Sequence, residues 1–312
     1  MQIDNQARVS IIRTEKKGRL LIDRYDADLT GEVQQLGYDT GLDRYEWQDF
    51  YQMLLQPEID HQGNIYLAMA KRETRGKERG LKRLKLLEFN FDAGLVDTSR
   101  SVSVGATLKV GIQKQREQFG LKAEKRIEHY ALRDILTLPD SSVWLVTQKH
   151  TLGAYQATPN GQRYQDMGQR IEELVLYQFN PQKKLRQALV IPSAQLLQKP
   201  MDRISQGYVA DFDPESQELR LLFRESSGDE LKGPDRLYFR RVNLETYAVS
   251  PRVLLFEGRR RAQYFLKPYT QWSNQDIVTF MLQDGDDGNF YTISVNVAAD
   301  PEASRLAEKW WK

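Results

Sequence analysis

Asp134 and Asp211 are the carboxylates that could do chemistry, because each follows a tyrosine, Tyr130 and Tyr208, by a few residues in segments of the same pattern. Glycosidic-bond cleavage needs two such groups from separate segments, held roughly 5 to 10 Å apart as acid and base or nucleophile. The competing account makes them ordinary polar lining beside Arg133 and Lys267, and the sequence favours it. Asp284, Asp286 and Asp287 cluster carboxylates as calcium requires, but their spacing falls one residue short of a calcium loop, so a plain surface turn is expected. His61, His129 and His150 are the three histidines, none with a second histidine in helical or hairpin reach. With no cysteine in the chain, thiolate ligands and cysteine nucleophiles are excluded. The reading assigns no catalytic residue, no metal and no cofactor.

Phosphate contact needs clustered cations, and KRETRGKERGLKRLK (71–85) and Arg259, Arg260 and Arg261 provide them. Against a nucleic-acid partner stand Glu73 and Glu78 within the run and a balance of 45 Lys and Arg to 43 Asp and Glu. A solvated hairpin loop is the expectation. Nucleophile-elbow, phosphate-loop, dinucleotide and zinc-protease motifs are absent, and no apolar run reaches the 18 or so residues of a membrane helix.

The elements that must position these residues are strands. Apolar residues alternate in RLLIDRYD (19–26), KLLEFNFD (85–92), LVLYQFN (174–180), RLYFRRVN (236–243) and NFYTISVN (289–296). Ahead of each lies a partner: VSIIRTE, NIYLAMA, VWLVTQK, LRLLFRE and IVTFMLQ. Four of these hairpins follow a segment led by Tyr51, Tyr130, Tyr208 or Tyr264, and several are followed by a fourth apolar segment, as in LRQALVIP (185–192). The first repeat lacks its innermost segment and the fifth its outermost. A polar insertion, HTLGAYQATPNGQRYQDMGQR, lengthens the third.

Sequential four-stranded antiparallel units are the pattern of a β-propeller. The expectation is an all-β fold: one five-bladed propeller over 1–298, with repeats near 1–44, 45–115, 125–199, 203–258 and 262–298. Paired sandwiches or an open array of sheets are the alternatives. ADPEASRLAEKWWK (299–312) reads as a short helix opened by Asp300, Pro301 and Glu302, and helix is expected mainly there.

IDHQGNIYLAMA (59–70) resembles the repeat core of NHL-type and related secreted bacterial propellers, where a Gly-Asn pair turns the chain between the first two strands. PDSSVWLV (139–146) is similar, with Ser for Gly and Trp for Tyr. The resemblance implies a propeller that binds something through loops at one end of its axis, and a secreted, periplasmic or cell-surface location over a cytoplasmic one. The start, MQIDNQ, shows no signal-peptide pattern.

Together these observations predict a non-catalytic binding or scaffold module for a protein or glycan. Its ligand would meet Tyr51, Tyr130, Arg133, Tyr208, Asp211 and Tyr264, since inner strands alone converge in a propeller. The alternatives are a glycoside hydrolase or lyase, and nucleic-acid binding through 71–85. A structural role competes for the tyrosines, which could equally be packing wedges.

Overall fold

The computed structural model describes residues 2–4, 6–15, 18–29, 31–41, 51–72, 81–98, 102–121, 130–152, 156–157, 163–164, 169–197, 208–213, 215–226, 235–257, 263–274, 277–284 and 289–297. The predicted helix at 299–312 lies outside them, as do 73–80 of the basic segment, Arg259 to Arg261, Asp286 and Asp287. The described chain is mostly strand, arranged in five antiparallel sheets whose strands follow chain order.

The first sheet holds β1 (Gln2–Ile3), β2 (Val9–Thr14), β3 (Arg19–Tyr25) and β4 (Gln34–Asp39). The second holds β5 (Tyr51–Ile59), β6 (Ile65–Arg72), β7 (Leu81–Asn90) and β8 (Leu95–Thr98), with β9 (Val102–Ser103) also pairing β7. The third comprises β10 (Tyr130–Thr137), β11 (Val143–Leu152), β14 (Gln169–Phe179) and β15 (Leu185–Leu197). Within its insertion β12 (Gln156–Ala157) pairs β13 (Arg163–Tyr164). The fourth is β16 (Tyr208–Asp213), β17 (Glu218–Ser226), β18 (Asp235–Asn243) and β19 (Val253–Glu257). The fifth is β20 (Gln263–Asn274), β21 (Ile277–Asp284) and β22 (Phe290–Asn296).

Two departures from the sequence reading are corrections. The first repeat does have an innermost strand: two-residue β1 pairs Gln2 with Ser10 and Ile3 with Val9. It is too short to show an alternating pattern. Helix also occurs well before the C-terminus, at Ala106–Gln118 (α1). Gly105 caps α1 without a side-chain bond, so the usual start signal is missing. Its end is legible afterwards: Gly120 takes φ +69, Leu121 N–H donates to Arg116 O at 2.9 Å and Gly120 N–H to Glu117 O at 3.0 Å, a Schellman closure.

The chain forms two compact units, residues 1–149 with 174–190 and residues 150–173 with 191–312. In unit 1 the second sheet is buried on both faces. Ile65, Leu67, Met69, Leu87 and Phe89 pack with Leu20 and Ile22 of the first sheet. Tyr66, Ala68, Ala70, Leu84 and Leu86 pack with Leu132, Leu145, Val175 and Ile112, the last from α1. Gln115 of α1 bonds both ways to β15: its Nε2 donates to Ala188 O at 2.9 Å and its Oε1 accepts from Val190 N–H at 2.8 Å. The helix thereby satisfies backbone that would otherwise form a bare sheet edge. In unit 2 the fourth and fifth sheets share a core of Val209, Leu222, Phe239, Val278, Phe280 and Val295.

One five-residue turn recurs at 4–8, 60–64, 138–142 and 180–184. Its fourth residue, Ala7, Gly63, Ser141 or Lys183, has a positive φ of 61, 83, 63 or 55. That residue's N–H donates to the first residue's carbonyl, and the first residue's N–H donates to the fifth's carbonyl. Asp4, Asp60 and Asn180 lead three of them because a short side-chain oxygen accepts the fifth residue's N–H, at 2.9, 2.8 and 2.8 Å. The Gly-Asn turn read from the sequence is one member of this set.

Candidate functional site

β5, β10, β16 and β20 open on, or one residue before, the tyrosines Tyr51, Tyr130, Tyr208 and Tyr264, as the repeat predicts. Three of these four strands lose register shortly after the tyrosine. The breaks lie between Leu54 and Glu58, Leu132 and Asp134, and Leu266 and Gln271. Such bulges re-aim the following side chains. First strands of successive sheets are also neighbours within a unit: β10 lies against β5 and β6, and β16 against β20.

The candidate residues divide between the units. Tyr51, Tyr130 and Arg133 belong to unit 1; Tyr208, Asp211 and Tyr264 belong to unit 2. The side chains of Tyr51, Tyr264, Lys267, Asp284 and His150, and all of His129, lie outside the described part of the structure. Tyr130 is 3% exposed in the core beside α1, and its hydroxyl accepts from Arg116 Nη1 at 3.4 Å. Tyr208 is equally buried. It stands opposite Phe223, which stands opposite Tyr238, and the Phe223 and Tyr238 rings stack with centroids 6.1 Å apart. Tyr208 thus packs in a cross-strand aromatic row of its own sheet, whereas Tyr130 packs in the core shared with the second sheet and α1.

The polar positions of these strands stand differently. Arg133 and Asp134 are half-buried at the β10 bulge, where Asp134 Oδ1 accepts the Ile135 N–H at 3.2 Å. Asp211 pairs across the hairpin with Arg220, whose Nε donates to Asp211 Oδ2 at 3.1 Å. Arg220 has a buried side chain and Asp211 one that is 31% exposed. The guanidinium lies 4.5 Å from the Trp272 ring centroid, and Trp272 tilts against Phe239 at 6.1 Å. The Trp272 indole N–H has no partner among the described residues. Arg220 and Trp272 escape the sequence reading, although hairpin register alone, counted from Tyr208, sets Arg220 opposite Asp211. The described partner of Asp211 is Arg220; Lys267, expected near the aspartates, has its side chain outside the described part of the structure.

A second polar cluster occupies unit 1. Asp60 Oδ1 accepts the N–H groups of Gln62 and Asn64, while Oδ2 accepts Asn64 Nδ2 at 3.0 Å and the Tyr66 hydroxyl at 3.2 Å. Burial, then Glu88 and Asp60, raise the Tyr66 hydroxyl's pKa. Glu88 stands opposite Tyr66 and pairs with Lys183 at 2.7 Å; Lys183 also meets Asp97. This network ties the turn before β15 to β7 and β8. Its residues bond to one another, and a satisfied buried network of this kind rigidifies the turn. His61 belongs to the Asp60 turn. Of the basic segment, Lys85 donates to the Tyr38 hydroxyl and lies 4.7 Å from that ring. No group of three metal-ligating side chains occurs among the described residues, and no described helix is long and apolar enough to cross a membrane.

No family model matches the chain, and no curated protein matches it. Among solved structures it is similar to an α-L-arabinofuranosidase from Fusarium graminearum, at 10% identity and a TM-score of 0.34, covering 93% of this chain and 81% of that one. A xylan β-1,4-xylosidase from Bacillus halodurans follows at 12% identity and a TM-score of 0.32, covering 94% and 51%. Prolyl oligopeptidase B from Galerina marginata gives 11% identity and a TM-score of 0.21, covering 88% and 38%. The chain thus spans about half or less of the last two proteins' lengths.

Proposed function

We propose that this chain is a non-catalytic binding module built as a five-bladed β-propeller, each sheet being one blade. Sheets whose strands follow chain order and first strands that adjoin within each unit support that architecture. Recognition of a protein or glycan uses the polar positions of the tyrosine-led strands, taken unit by unit: Arg133 with Tyr51 and Tyr130 in unit 1, and Asp211 with Tyr208 and Tyr264 in unit 2. The observation that carries the reading is the Asp211, Arg220 and Trp272 arrangement. A partly exposed acceptor is fixed beside a donor that is itself held on an indole face. Side-by-side donor and acceptor suit hydroxyl or amide recognition, and a carboxylate already committed to an arginine is poorly placed to carry protons.

Calorimetric titration with neutral and acidic oligosaccharides, run beside chromatography for released sugars, tests this. Saturable binding without product, weakened at least tenfold in Asp211→Asn and Arg133→Gln, each still folded by circular dichroism at the titration temperature, is the expected result. Sugar release that disappears in Asp134→Asn or Asp211→Asn would establish a hydrolase instead. Binding indifferent to both variants would remove the site.

A further inference from the structure

The Asp60 turn brings two arginines together in unit 1. Gly63 has φ +83 and no side chain, and a Cβ there would collide with Arg8 Nη2 and come 3.6 Å from Arg24 Nη2. Arg24 is 3% exposed, lies 4.0 Å over the Phe91 ring and donates through Nη2 to Gly63 O. Its Nε–H has no hydrogen-bond partner among the described residues, and neither has Arg8 Nη2. Arg8 meets Asp4 through Nε at 2.7 Å.

The nearby carboxylates are committed elsewhere. Asp4 spends Oδ1 on the N–H groups of Gln6 and Arg8 and Oδ2 on Arg8 Nε. Asp60 spends both oxygens within its own turn. Asp92 adds only a longer-range attraction to Arg24, which burial and then the Arg8 charge hold below the usual arginine range. Two adjacent guanidiniums with buried, unused donors cost stability unless an acceptor joins them. Arg8 Nε and Arg24 Nη2 are engaged, so the donors left for an acceptor are Arg24 Nε–H and Arg8 Nη2–H, one from each guanidinium, and charge-assisted donors of this kind suit carboxylate and phosphate oxygens.

We infer that Arg8 and Arg24 form a binding site for a small oxyanion, a carboxylate or a phosphate group, at the Asp60 turn. It uses none of the residues assigned to recognition above and stands or falls separately. Thermal unfolding and calorimetry with inorganic phosphate and with acetate, at constant ionic strength against sodium chloride, test it on the full chain. The expected result is a saturable rise in melting temperature with one of the two, and at least tenfold weaker binding in Arg8→Lys, which keeps the charge but loses the Nη2 donor. Equal behaviour of phosphate, acetate and chloride overturns the site, as does an Arg8→Lys protein that binds like the wild type. Should Arg8→Lys fail to fold, the Arg24 Nε–H resonance of the wild type decides: it shifts on titration if the site exists, and an unmoved resonance overturns it.

Discussion

The second and fifth sheets are built on the same hairpin plan and live in opposite surroundings. In the second, Ile65 to Ala70 are buried without a break, and so are Leu86 and Leu87, which point to opposite faces. In the fifth, β22 alternates: Phe290 (59% exposed), Thr292, Ser294 and Asn296 face outwards, while Ile293 and Val295 face the core of unit 2. A strand covered on both faces must be apolar throughout, whereas one covered on a single face need be apolar only at every second residue. Burial context, not hairpin geometry, therefore writes the residue pattern. The sheet with two covered faces also holds the buried polar groups Asp60, Asn64 and Tyr66, which lie close to its turns.

The comparison breaks most visibly at Leu86 and Leu87. Leu86→Ala and Leu87→Ala are each expected to cost about 2–5 kcal/mol in urea unfolding, since each opens a cavity in a different core. The matching successive pair in the fifth sheet should split: Ile293→Ala costs about 1–2 kcal/mol and Thr292→Ala stays within about 0.5 kcal/mol. A near-neutral result at either leucine would disprove two-sided burial.

Turns sharpen the contrast next. Asp60→Ala strips four donors, three of them buried, of their acceptor and is expected to cost about 2–3 kcal/mol. Asn243, at an exposed turn of the fourth sheet, accepts from Glu245 N–H and from Thr246, so Asn243→Ala should cost under about 1 kcal/mol because water replaces it. Equal losses would mean that burial does not set the value of these bonds.

Lys183→Met should cost about 1–2 kcal/mol, chiefly by leaving the mostly buried Glu88 carboxylate without its cation. A double-mutant cycle with Glu88→Gln measures the coupling, and a value near zero would show the network to be ornamental.

The smallest effects are acid-dependent. The Arg13 hydrogen bond holds Asp23 below its ordinary value of 3.8, and the Ser216 hydroxyl does the same for Asp213. A depressed carboxyl stabilises the fold above its unfolded-state value and loses that contribution as pH falls through the folded one. The stability deficits of Arg13→Ala and Ser216→Ala, followed by urea midpoint, should be full near neutrality and close as pH drops below 3.8. Deficits constant down to acid pH would assign them to packing.

The hairpins were legible because alternation survives wherever one face is wet, and their partner strands because uninterrupted apolar runs such as NIYLAMA admit little else between turn residues. Tyr51, Tyr130, Tyr208 and Tyr264 marked strand starts correctly, yet the side chains of Tyr130 and Tyr208 are taken up by Arg116 and by the Phe223 row. A tyrosine's amphipathic character serves packing and binding alike, so sequence spacing alone does not separate them. The helix at Ala106–Gln118 was missed for a related reason: its buried face includes Arg116, a charge that reads as solvent-facing until Tyr130 is placed beside it.

By itself the sequence determined the class of fold, the order and pairing of strands and most turns, because these depend on period-two patterning and on residues that tolerate left-handed backbone, all local properties. Only the tertiary structure decided which polar groups meet. Arg220 finds Trp272, Lys183 finds Glu88 across 95 positions of chain, and Arg8 comes beside Arg24 over Gly63. Charges interact through space without regard to sequence distance, so their neighbours are chosen by which sheets stack and which turns close, and no local pattern records that choice.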